Sequence, residues 1–147
     1  MNDESIDVKG NSLLSAHKTK KRKVAFLGAP GVGKSAIIMR FTEDVFTDYY
    51  NPTIETVHKK NFNFQNDNID LDILDYDGQN EYTIMSLNKF SHGINAYVLC
   101  YSIENKQSFD LINILFSKIR NFSLDIPKVI VGNKSDLANR GKENRVK

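Results

Sequence analysis

Three short stretches of this sequence hold residue types whose spacing suits chemistry. Residues 28–35 read GAPGVGKS. The spacing G-x-x-x-x-G-K-S lets successive backbone N–H groups turn inward around phosphate oxygens at the start of a helix. The expected cradle is Gly28, Gly31, Val32, Gly33, Lys34, Ser35 and Ala36; Pro30 has no N–H to offer. Lys34 would bring positive charge to the outer phosphates, and the Ser35 hydroxyl would ligate Mg²⁺. Residues 71–82 read LDILDYDGQNEY. Asp75 and Asp77 leave the end of an apolar run on the same side, and carboxylates this close repel unless a cation lies between them. Residues 133–136 read NKSD. Asp136 can accept from two adjacent donors, the pair that guanine offers at N1–H and its 2-amino group. Adenine would leave it desolvated and unpaired, a loss of about 1–3 kcal/mol or more. Asn133 is suited to another polar edge of the base and the Lys134 stem to its plane. NKSD alone is a weak string; downstream of a phosphate loop it favours GTP over ATP.

The elements around these stretches alternate in kind. VAFLG reads as a short buried strand, and KSAIIMRFTED as a helix with Ile37, Ile38 and Phe41 on one face. HKKNFNFQ and NIDLDILD alternate apolar positions around the turn QNDN, which predicts an antiparallel hairpin. A helix is expected at about residues 80–90, then the strand INAYVLCYSI. A helix over residues 105–121 sets Ile112, Leu115, Phe116 and Ile119 on one face, and KVIVGNKSD is the last strand. Strands alternating with helices predict an α/β fold: a mostly parallel sheet with helices on both faces and one antiparallel edge. In such sheets ligands bind at the C-terminal strand ends, where all three stretches fall.

Composition narrows the class. A chain of 147 residues with 40% hydrophobic and 26% charged content is one ordinary globular domain. A net charge of +2 names no partner, and no basic face interleaved with aromatics argues for nucleic acid. The one cysteine, Cys100, lies in an apolar run, so it is expected to be a buried, inert thiol in a reducing, cytoplasmic compartment. No apolar stretch approaches the roughly 20 residues that span a bilayer. Residues 1–22 are polar without periodicity and read as a disordered extension. Their KTKKRK cluster is a solvated tail or an anionic-surface or import patch. His17, His58 and His92 lack metal-ligand spacing.

GAPGVGKS, YNPTIE, DYDGQNEY and NKSD arrive in the order found in the Ras-like small GTPases, the small G domains of the P-loop NTPases. From about Lys23 to Leu137 the chain resembles that family, and PTIET, EYTIM, INAYVLCYSIENKQSF and IPKVIVGNKSDL look closest to its Rheb and Ras branches. The resemblance implies a GTP- and GDP-binding, Mg²⁺-dependent switch. Thr53 would ligate Mg²⁺ and meet the γ-phosphate, Phe46 would stack at the edge of guanine, and Tyr50 would close over the phosphates. Asp75 would hold Mg²⁺ through water, Gly78 would donate its N–H to the γ-phosphate, and Gln79 would orient the attacking water. Lys34, Thr53 and Gln79 form the implied catalytic set, and Ser35, Thr53 and Asp75 the implied metal set. Residues 50–56 would face effectors, with an exchange factor and an activating protein as further partners.

Three features depart from the family pattern. Asp77 stands where a small residue is usual. A carboxylate about 4 Å from a γ-phosphate is opposed by roughly 4 kcal/mol per unit charge at an effective dielectric near 20, before screening. Rotation into solvent, protonation or joining the Mg²⁺ shell would each relieve it. Pro30 replaces a glycine beside the catalytic water, where its ring would obstruct an activating protein. After NKSDL only ANRGKENRVK remains, whereas the family continues for about 40 residues, so the G domain, residues 23–147, is expected to be truncated before its last strand and helix. With no C-a-a-X box, no lipid anchor is expected on this chain. Two other readings stay open: a GDP-preferring or non-hydrolysing scaffold, and a truncated product without activity.

Overall fold

The computed structural model describes residues 19–47, 49, 52–80 and 92–137. The expected helix at 80–90 lies almost wholly outside them, as do Tyr50 and residues 1–18. Among the described residues seven elements follow in order: β1 (Thr19–Gly28), α1 (Lys34–Glu43), β2 (Thr56–Phe64), β3 (Asp67–Asp75), β4 (Ala96–Ser102), α2 (Lys106–Phe122) and β5 (Lys128–Asn133). The five strands form one sheet in the order β2-β3-β1-β4-β5. Only β2 runs antiparallel to its neighbour; β1 pairs in parallel with β3 and β4, and β4 with β5.

Alternation along β1 assigns the two faces. Ala25 and Leu27 join Leu74, Tyr97, Leu99, Leu111, Ile112, Leu115 and Ile119 in a core under α2. Phe26 points the other way, into a second core with Val32, Ile38, Ile73 and Cys100 under α1. A central strand buried on both faces needs helices on both, and each Leu or Ile so buried contributes about 1.5–3 kcal/mol. Successive connections from β1 go to opposite sides of it, so its C-terminal end opens at the switch point of the sheet, where the phosphate loop lies.

Several boundaries differ from the sequence reading. β1 begins at Thr19, ahead of the expected start at Lys23, because backbone pairing with β3 (Thr19↔Asn68) and a 2.5 Å Lys20–Asp67 ion pair hold a segment without apolar residues. The hairpin turn is only Gln65–Asn66, both at positive φ (48° and 68°). That is the two-residue connection whose twist matches the strands. Lys134, at φ 65°, ends β5 before Asp136. Phe41 and Phe116 are not core residues: each is partly exposed, with Phe41 set edge-on to Phe62 of β2 at 6.0 Å. Ser108 and Leu111 take the buried positions on α2 instead.

Candidate nucleotide-binding site

Gly28–Ser35 links β1 to α1, with Gly31 and Gly33 at φ 70° and 99°. These values suit glycine and turn the loop amides inward. Lys34 is buried, and its ammonium donates back to the Gly28 and Ala29 carbonyls at 3.0 and 3.1 Å. Burial lowers its pKa below the ordinary 10.5, while the negative charge of Asp75 and, more weakly, of Asp77 acts the other way. Lys34 thus feels the charge of both carboxylates, while its hydrogen bonds go to the two loop carbonyls.

Two oxygens expected on Mg²⁺ meet directly: Ser35 Oγ and Thr53 Oγ1 are 2.8 Å apart. Asp75, only 1% exposed at the end of β3, has an oxygen, Oδ1, with no hydrogen-bond partner. A buried carboxylate oxygen left bare is costly, and a hydrated cation is the kind of group that satisfies it. Two hydroxyls and one carboxylate are hard oxygen donors of the type Mg²⁺ takes, so the residues present fit the ion.

The stretch after Asp75 lies against the loop. Gln79 is 3% exposed; its backbone N–H donates to Gly28 O at 3.0 Å, its Oε1 accepts from Gly28 N at 2.7 Å, and its Nε2 donates to Asp77 O. Its side chain is thus committed to the loop. The Gly78 N–H, expected to face a γ-phosphate, donates to Asp77 Oδ1 at 2.7 Å. Asp77 is solvent-exposed, and its Oδ1 is bonded to its neighbour's amide. A β-carbon on Gly78 would collide with Pro30, so glycine is required for this approach.

At the base side, Asn133 donates from Nδ2 to Val32 O at 2.9 Å. Its amide nitrogen braces the phosphate loop instead of awaiting a base edge, and a β-carbon on Gly33 would strike it. Lys134 lies 3.7 Å from the Glu104 carboxylate, and Asp136 is exposed. Phe46 is 65% exposed and so is not packed away in the core. A network not foreseen from the sequence secures this edge: Asn105 caps α2 by accepting from Ser108 N at 3.1 Å, and Ser108 Oγ accepts from Ser102 N at 3.0 Å. The N-x-x-S spacing before the helix was its available signal.

The Ras family model matches residues 23–147, which include the loop, the Asp75–Gln79 segment and the NKSD turn. The chain belongs to the Ras family. It is 42% identical over 120 residues to the GTP-binding protein rhb1 of Schizosaccharomyces pombe, covering 80% of this chain and 64% of the relative. With the GTP-binding protein Rheb homolog 1 of Caenorhabditis elegans it shares 40% identity over 130 residues (87% and 62%). With GTP-binding protein Rheb of Homo sapiens it shares 38% over 122 residues (82% and 66%). This Ras-family chain therefore spans a little under two-thirds of the length of these curated relatives. Among its described residues no helix is long and apolar enough to cross a membrane.

Proposed function

We propose that this chain binds GDP and GTP with Mg²⁺, hydrolyses GTP slowly, and acts as a cytoplasmic switch read by effector proteins through residues 50–56. The observation that carries the reading is the hard-oxygen set at the loop: Ser35 and Thr53 hydroxyls 2.8 Å apart, with a buried Asp75 oxygen that has no hydrogen-bond partner among the described residues. Ser35, Thr53 and, through water, Asp75 would hold the ion. When bound, Mg²⁺ would supply positive charge to the phosphate oxygens. Lys34 is already fixed at the loop to meet an incoming phosphate, exchanging its two carbonyl partners for charged oxygens.

In hydrolysis a water attacks the γ-phosphorus, the bond from that phosphorus to the β–γ bridging oxygen breaks, and GDP and inorganic phosphate leave. To orient that water, Gln79 must let go of the Gly28 amide, which then loses its acceptor at a cost of about 1–3 kcal/mol. Slow intrinsic turnover follows. Thr53 bridges the loop and the segment before β2, so loss of the γ-phosphate would release residues 50–56 and change the effector face.

A titration of the purified protein with fluorescent GDP, with and without Mg²⁺ and in competition with unlabelled GTP and ATP, tests the reading. Mg²⁺-dependent binding displaced by GTP but not by ATP is the expected result. Failure of both guanine nucleotides to bind, or displacement by ATP as effective as by GTP, would contradict it.

A further inference from the structure

The geometry points to Asp77 as the residue that sets the preference between diphosphate and triphosphate, its carboxylate standing in for the outermost phosphate of a nucleotide. This inference rests on the guanine-nucleotide reading of the same site. Asp77 Oδ1 holds the Gly78 N–H at 2.7 Å, a bond between an amide and a charged acceptor. Gly78 is pressed onto Pro30 of the phosphate loop, so that amide lies at the rim of the cradle. The same carboxylate is close enough to act on the charge of Lys34, the cation of the cradle. An anion arriving beyond the second phosphate would seek the Gly78 amide, which already has an anionic partner.

The backbone around Asp77 is fixed as well. Gln79 Nε2 donates to Asp77 O, while Gln79 N and Oε1 are bonded to the O and N of Gly28. Residues 77–79 are thus clamped on the loop, and Pro30 backs the clamp. A diphosphate stops short of it and leaves it closed. A triphosphate must take the Gly78 amide from Asp77 and then meet the displaced carboxylate's charge. Asp77 therefore favours GDP over GTP without touching the base, the sugar or the first two phosphates.

The test measures equilibrium binding of fluorescent GDP and of a non-hydrolysable GTP analogue, in Mg²⁺, by the wild type, Asp77→Asn and Asp77→Ala. The wild type is expected to bind GDP at least about tenfold tighter than the triphosphate. Asp77→Ala is expected to cut that preference about tenfold, and Asp77→Asn, which keeps an acceptor but no charge, to fall between. In the GDP-bound protein, the Gly78 amide proton resonance is expected to move upfield in Asp77→Ala as its charged acceptor is lost. A wild type that binds both nucleotides equally, or a preference unchanged in both variants, overturns the role of Asp77 and leaves the guanine-nucleotide reading standing. Binding of neither nucleotide by the wild type overturns that reading and this one together.

Discussion

Gln79 reaches across to Gly28, 51 residues earlier in the chain, through a buried side-chain acceptor. Removing that acceptor strands a buried N–H, so Gln79→Ala is expected to lower unfolding free energy by about 1–3 kcal/mol. Urea titration checks it, and an unchanged midpoint would mean the bond contributes nothing. Asp136 presents the opposite case, an exposed carboxylate with no structural duty among the contacts described. Asp136→Ala should weaken guanine nucleotide binding about ten- to hundredfold, the worth of hydrogen bonds to a charged group, while the urea midpoint stays within error of wild type. Equal loss of stability and affinity would instead make Asp136 a structural residue.

At the scale of elements, the Gln65–Asn66 turn sets the hairpin register with two residues at positive φ. Glutamine tolerates that region poorly, whereas asparagine visits it readily. Gln65→Asn is expected to stabilise the protein by about 0.5 kcal/mol, read as a rise in urea midpoint; a fall would show that the glutamine side chain makes a compensating contact. The turn also marks what a sequence can and cannot tell. Apolar alternation located VAFLG and LDILD, and helical spacing located α1 and α2, because burial on a sheet selects those periods. The polar half of β1 escaped notice because its pairing with β3 uses backbone groups. Phe41 and Phe116 were misplaced because periodicity marks the direction of a face, whereas its width depends on how much sheet lies beneath the helix. The positions of Lys34, Ser35, Asp75 and Asp136 were legible as motifs. Asp77 on the Gly78 amide and Asn133 on Val32 O, 101 residues away, were not, since such partners are chosen by the folded geometry.

For the whole molecule, two buried acids link the core to pH. Burial is the main cause that pushes the Cys100 thiol from 9.0 up to about 12, and the Tyr76 hydroxyl from 10.0 up to about 12. Both stay protonated in the folded state after the unfolded chain has lost those protons. Their contribution is complete below pH 9 and falls as pH rises toward 12. Lys34 works in the other direction, since its lowered pKa means that the strain of burying its charge eases as pH climbs toward 10.5. The urea midpoint should hold steady to about pH 9 and then decline, with a flatter decline in Cys100→Ala. A profile identical in wild type and Cys100→Ala would remove the thiol from the account. The two cores, the phosphate loop between them and the clamp of residues 77–79 make ligand binding and folding one equilibrium. A ligand that binds only the folded state stabilises it by about 2.7 kcal/mol at a hundredfold excess over its Kd. Thermal unfolding of the full chain in Mg²⁺ with GDP, and separately with ADP, is therefore the most direct test of guanine-nucleotide binding. An upward shift of several degrees, on the order of 4 °C or more, is expected with GDP and none with ADP; no shift with GDP, or equal shifts with both, would contradict guanine-nucleotide binding.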